Sequence, residues 1–196
     1  MSKLFKRVLS LGLLLIASFA YSKSVITSGE NMIDFTKPTE YQQWLATNDN
    51  VMGGISVGQL IYDGKTSQFQ GELSLANNGG FSSIKRPLES LTQEEDGVEL
   101  VFAGDGRTYQ LRLMTWKDGS RINYKHDFTT IKDQQQKMVF NFNDFQAVFR
   151  GRLLNDAPEL VATDIKQVGF LIADKKTVPF VLNLIQMQFT TSQKTK

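Results

Sequence analysis

Side chains able to do acid–base, nucleophilic or metal chemistry are unevenly supplied in this sequence. It has no cysteine and a single histidine, His126. Disulfides, thiolate chemistry and cysteine-bound metals are excluded. So is a histidine metal cluster, which needs two or three imidazoles. A Ser-His-Asp arrangement would have to use His126. That residue lies in "INYKHDF", in phase with Ile122, Tyr124 and Phe128. It therefore reads as a half-buried strand histidine rather than a general base. The twenty Asp and Glu residues leave a two-carboxylate glycoside hydrolase open as a minor reading. "EED" at 94–96 reads as a solvated loop. Asp49, Asp105 and Asp118 each stand beside glycine or asparagine, where a carboxylate caps local backbone N–H groups.

Three loop-like stretches concentrate the remaining polar chemistry. "NDNVMGGIS" (48–56) holds Asn48, Asp49, Asn50, Gly53 and Gly54, and "LSLANNGGFSS" (73–83) holds Asn77, Asn78, Gly79 and Gly80. Amides followed by paired glycines serve either to turn a chain or to bring its backbone close to a ligand. Because the second cluster separates strand-like "GELSL" from strand-like "FSSIK", its plainest reading is a hairpin loop. The third stretch, "GDGR" (104–107), lacks the spacing, the lysine and the following helix of a phosphate-binding loop. Instead it seats Asp105 and projects Arg107. Two roles are open to Arg107: pairing with Asp49 or Asp105 inside a polar loop layer, or gripping a carboxylate or sugar hydroxyl on a ligand. Asp118 raises a structural calcium of the kind loop oxygens hold, but no EF-hand spacing occurs. The chain is read as carrying no metal and no cofactor.

Strands must position these loops. Apolar residues alternate at period two in "VELVF" (Val98, Leu100, Phe102), "YQLRL" (Tyr109, Leu111, Leu113), "MVFNF" (Met138, Phe140, Phe142) and "VGFLI" (Val168, Phe170, Ile172). "FQGELSL" puts Phe69, Gly71, Leu73 and Leu75 in one phase, and "VPFVLNLIQMQF" does so for Val181, Ile185, Met187 and Phe189. Side chains alternate across a strand, so each run gains one buried face. Turn chemistry at "NNGG", "GDGR", "KDGS" and "NDAP" separates the runs. Short helical patterns are confined to "TEYQQWLA", "LTQEE" and "NDF". Many short strands with almost no helix predict an all-β jelly-roll sandwich, with a closed barrel as the alternative.

The N-terminus has a different composition. "MSKLFKR" is basic, and "VLSLGLLLIASFA" is an apolar run too short for a comfortable membrane span. Residues 1–22 are read as a secretory signal peptide cleaved after Ala20 or Ser22, which predicts an exported, periplasmic protein. Residues 23–30 would be a lead-in, 31–190 one domain and 191–196 a frayed tail. Of 22 Lys and Arg against 20 Asp and Glu, the segment 1–22 holds three bases and no acid. That leaves 19 bases against 20 acids, a net of −1, so no long-range attraction for nucleic acid is expected. No later stretch is long and apolar enough to span a membrane as a helix.

In order, "W-x3-NDNVMGGIS-x-G", "F-x-GELSLANNGGFSSIKR", "GDGRTYQLRL", "NDFQAVFRGR" and "VGFLIADKK" resemble the complex I intermediate-associated protein 30 family over roughly residues 31–190. The resemblance implies a galactose-binding-like jelly-roll β-sandwich, in agreement with the strand pattern. It also implies a non-enzymatic, assembly-factor-like or chaperone-type binding role. The partner would then be a protein, such as a respiratory-complex or other membrane-associated subunit. A periplasmic carbohydrate-binding module holding a glycan is the alternative. By the same resemblance Asn48, Asp49, Asn50, Gly53, Gly54, Asn77, Asn78, Gly79, Gly80, Asp105 and Arg107 matter, either by touching a ligand or partner or by building the fold.

Overall fold

The computed structural model describes residues 31–192 except Asp118, with Lys117 described for its backbone only. The expected signal peptide (1–22), the lead-in (23–30), the last four residues of the tail and the calcium reading of Asp118 lie outside the described residues.

Among the described residues, thirteen strands form two antiparallel sheets. The first joins β3 (Val57–Tyr62), β4 (Ser67–Glu72), β13 (Pro179–Thr190), β6 (Gly97–Ala103) and β9 (Gln135–Asn141) in that order, with β1 (Met32–Asp34) also paired to β13. The second runs β11 (Arg152–Leu153), β10 (Gln146–Phe149), β8 (Ser120–Thr129), β7 (Thr108–Lys117), β12 (Ile165–Ile172), β5 (Ser82–Pro87) and β2 (Leu45–Asn48). The described chain is a jelly-roll β-sandwich with one core and no α-helix.

That core forms where the alternating apolar faces of the two sheets meet. Val98, Leu100 and Phe102 face Tyr109, Leu111 and Leu113 across the interior, with Val168, Phe170 and Ile172 beside them, all fully buried. Rings fill the middle. Phe69 packs edge-on against Phe180 with centroids 5.0 Å apart, and Phe102 does the same against Phe128 at 5.2 Å. Edge-to-face packing of this kind adds to the stabilisation from area burial. Half-buried His126 lies edge-on to Phe140 and Phe145, at 5.0 and 5.6 Å, and its Nδ1 sits 3.0 Å from the carbonyl of Asp127. This is the environment its strand phase predicts.

The structure departs from the sequence pattern at several points, exposed Leu75 among them. The final strand does not keep one phase: Phe180, Leu182 and Leu184 are buried, then Met187 and Phe189. A register shift between Leu184 and Gln186 breaks the alternation at Ile185, so Val181 and Ile185 lie off the buried face. One extra residue in a strand has this effect. "TEYQQWLA" holds only a 3-10 turn, Glu40–Gln43, before β2 begins, and "NDF" falls in another, Phe142–Asp144. "LTQEE" forms no helix. Finally, "NNGG" is not a hairpin loop. It carries the chain from β4 in one sheet to β5 in the other.

That last change extends to the whole molecule. The links β2–β3, β4–β5, β6–β7, β8–β9 and β12–β13 each pass from one sheet to the other. Register places them all at one end, since Asn48 pairs with Ser82, Ser82 with Ile172, Val57 with Glu72, Glu72 with Pro179, Ala103 with Gln135 and Thr108 with Thr129. This end is called the lip below.

Candidate functional site at the lip

The first two motif loops form one unit around the carboxylate of Asp49, which has no solvent exposure. Asp49 Oδ1 accepts the backbone N–H of Ser56 at 2.8 Å. Its Oδ2 accepts the Ser56 hydroxyl and the backbone N–H of Gly80, each at 2.5 Å, and that of Phe81 at 3.3 Å. Burial alone would push this carboxyl up, but the Ser56 hydroxyl and the N–H groups of Gly80, Ser56 and Phe81 hold it below its ordinary range. Asn77 reinforces the bond between loops by donating from Nδ2 to the carbonyl of Gly53 at 3.0 Å. Asn48 does so lower down, accepting from the Ser82 hydroxyl at 2.6 Å and donating to the carbonyl of Gly58 at 3.2 Å.

The glycines of these motifs have distinct tasks. A Cβ on Gly54 would lie 2.4 Å from Asp49 Cγ, and one on Gly79 would lie 2.5 Å from Asp49 Oδ2. Both are bare so that the chain can close on the carboxylate. Gly53 has open space around it but a φ of +89°, where it ends the 3-10 turn Asp49–Met52. Asn77 and Asn78 take φ of 56° and 58°, a left-handed region that asparagine tolerates. Asn50 is exposed, and its carbonyl accepts the N–H of Gly53 at 3.1 Å.

A second unit centres on Arg107, also buried. Its side-chain partner is neither Asp49 nor Asp105 but Asp174. Nε and Nη2 make a two-pronged contact with the Asp174 carboxylate at 2.9 and 2.5 Å. The remaining N–H groups reach the carbonyls of Val178 at 2.6 Å and Lys176 at 2.8 Å. Desolvation alone would lower the Arg107 pKa, but Asp174 raises it. Burial likewise pushes the Asp174 carboxyl up, and the Arg107 hydrogen bonds bring it below its usual range. Asp105 fixes the other side of this unit. It accepts from the Arg107 N–H at 3.0 Å, the Tyr109 hydroxyl at 3.0 Å and the Val181 N–H at 2.9 Å. Burial, with the Asp105 carboxylate second, raises the Tyr109 phenol far above its ordinary value. Thr130 completes the set, donating to the Arg107 carbonyl at 3.0 Å while accepting from the Gly106 N–H at 2.9 Å.

The nominated residues thus separate into two polar units at one end of the sandwich, around Asp49 and around Arg107. Between them lies a cleft of about 400 Å³ lined by Ile55, Val57, Glu72, Leu73, Ser74 and Thr177. The charged groups of both units are spent on backbone groups and on each other, beneath the surface. Aliphatic side chains reach solvent here beside polar ones such as Asn50, Asn78, Lys132 and Lys175. Val51 and Met52 are each 69% exposed, and Ile55, Leu75, Ile131 and Val178 project from neighbouring loops at the same end. Sequence reasoning missed these side chains because exposure leaves no trace in a loop's composition. It also missed Ser56 and Asp174, although both lie inside quoted motif stretches.

Comparison with known proteins gives the fold its relatives. The family 11 carbohydrate-binding module of the cellulosomal cellulase Lic26A-Cel5E of Clostridium thermocellum superposes with a TM-score of 0.62 at 11% identity, covering 85% of this chain and 98% of that one. The Clostridium thermocellum family 11 module in complex with a β-1,3-1,4-mixed-linked tetrasaccharide gives 0.58 at 10% identity, over 83% and 97%. At such identities the likeness is one of fold, the galactose-binding-like jelly roll. An uncharacterized protein of Schizosaccharomyces pombe is 30% identical over 162 residues, 72% of this chain and 74% of its own length. The profile of the family described as complex I intermediate-associated protein 30 matches residues 33–184, a span that includes both polar units, and the chain belongs to that family.

Proposed function

We propose that this chain is a non-enzymatic binding module, acting after export and removal of residues 1–22, whose lip docks a protein partner. The observation that carries the reading is the layering of the lip: a buried polar frame beneath exposed Val51, Met52, Ile55, Leu75, Ile131 and Val178. Single exposed aliphatic residues are ordinary, but several held together at one end of a rigid scaffold mark a contact surface. Asp49, Asp105 and Arg107 serve here as the frame and touch no partner. Catalysis by the lip carboxylates has no support in this arrangement, because Asp49 is saturated by four hydrogen bonds and Asp174 is tied to Arg107. An assembly-factor or chaperone-type role fits a surface of this kind, and no metal or cofactor enters the reading.

The test places a photo-crosslinking residue at position 52 of residues 23–196 and exposes the protein to envelope extract. A discrete protein adduct is expected, lost in the double variant Val51→Asp, Met52→Asp with its thermal midpoint unchanged. Equal capture by that variant, or release of the adduct's partner by free oligosaccharide before irradiation, would overturn the reading.

A further inference from the structure

Away from the lip, at the end of β7, an exposed tryptophan sits beside a small cleft that the proposed function does not use. Trp116 is 52% exposed, whereas Trp44, the other tryptophan, is buried in the core. Trp116 pairs across the β7–β8 ladder with Arg121, whose guanidinium lies 5.0 Å from the indole centroid. The cleft holds about 210 Å³ and is lined by Met114, Thr115, Trp116, Arg121, Lys166 and Gln167.

Each wall has a distinct chemical demand. Trp116 and Met114 give an apolar side. Arg121 and Lys166 give two cations; Lys166 Nζ spends one N–H on the carbonyl of Thr163 at 2.9 Å and has two more to offer. Gln167 carries the one buried side-chain oxygen among the described residues that has no hydrogen-bond partner, Oε1. A buried acceptor left unpaired carries a desolvation penalty that an incoming donor relieves. The register shift between Ile165 and Gln167 against β7 produces this arrangement, since it sets Lys166 at the irregularity and Gln167 opposite Met114.

We propose that this cleft binds one unit of a carboxylated sugar. A uronic acid meets all of the demands together: its carboxylate faces Arg121 and Lys166, a ring C–H face lies on the apolar side, and a hydroxyl donates to Gln167. Inorganic phosphate satisfies the cations but offers neither an apolar face nor the ring. A neutral hexose leaves the cations unused. The site lies on the outer face of the second sheet, remote from the lip, and stands whether or not the lip docks a protein.

Trp116 is its own reporter, because Trp44 is shielded in the core. Titrating residues 23–196 with trigalacturonate should change the intrinsic fluorescence saturably, with galactotriose at least about tenfold weaker, a difference of about 1.4 kcal/mol. Arg121→Gln should weaken trigalacturonate binding about tenfold or more, and Gln167→Leu several-fold. Trp116→Phe should remove the fluorescence response, with any residual binding followed by chemical-shift changes at Lys166 and Gln167. All three side chains lie at the surface or its margin, and near-UV circular dichroism checks that each variant is folded. No saturable change with trigalacturonate, equal binding of galactotriose, full competition by equimolar phosphate, or an unaltered Arg121→Gln variant would each overturn the assignment.

Discussion

The carboxylate of Asp49 and the backbone N–H of Gly80 meet at 2.5 Å across 31 residues of sequence. This contact ties the link between β2 and β3 to the link between β4 and β5, so two loops that each cross between the sheets become one object. With Ser56 and Phe81 also donating to Asp49, the amide- and glycine-rich motif acts first as a clamp. Its outer side chains are then free to be apolar.

Asp49→Ala removes the clamp and strands several buried N–H donors. At about 1–3 kcal/mol for each unsatisfied buried group, partly offset by water entry, the expected loss is on the order of 3–5 kcal/mol. Urea denaturation measures it. Asp49→Asn should lose most of the same stability, because its amide nitrogen would face donors. A loss below about 1 kcal/mol for either variant would contradict the clamp.

Stability should fall in acid for an identifiable reason. Asp49 and Asp174 both titrate below their ordinary range in the folded protein. On acidification the unfolded chain therefore takes up these protons first, and unfolding becomes more favourable as pH drops. Their contribution is complete above about pH 4 and is lost progressively below it. Asp174→Asn should be less stable at neutral pH and show a shallower decline between about pH 4 and pH 2. Equal slopes would mean that Asp174 is not one of the groups responsible.

Arg107→Ala leaves Asp174 buried without its partner, a change that costs about 3–5 kcal/mol in comparable buried pairs. Arg107→Lys keeps the charge but cannot span Asp174, Lys176 and Val178 at once. It should rescue less than half of the loss, read as a thermal midpoint between those of wild type and Arg107→Ala. Full rescue would show that charge alone holds the loop 173–178.

Glycine substitutions separate crowding from backbone strain. Gly54→Ala drives a methyl into the fixed Asp49 carboxylate and should cost more than about 2 kcal/mol. Gly53→Ala meets nothing within 4 Å and incurs only the strain of a positive φ, about 1 kcal/mol. Chemical denaturation of the two variants side by side should preserve that order.

Most of the strand layout was legible because a half-buried strand writes its burial as period two, as Val98, Leu100 and Phe102 do. The same signal fails where a residue is inserted, which is why Val181 and Ile185 were placed on the wrong face of β13. Periodicity also names a strand without naming its sheet, so the 77–80 link read as a hairpin although it joins opposite sheets. At the site, glycine and asparagine betrayed the positive φ of Asn77 and Gly53. The pairing of Arg107 with Asp174 spans 67 residues, and nothing local marks one acid among twenty as the partner.

The position of β13 has a consequence for how the protein matures. The last described strand in chain order lies in the middle of the first sheet, with β4 and β1 along one side and β6 along the other. Until residues 179–190 leave the ribosome, the pairs β3–β4 and β6–β9 and the lone strand β1 stay apart, and the interior cannot seal. Folding of such a chain waits for this strand to emerge, and a nascent polypeptide stopped short of Pro179 stays sensitive to protease.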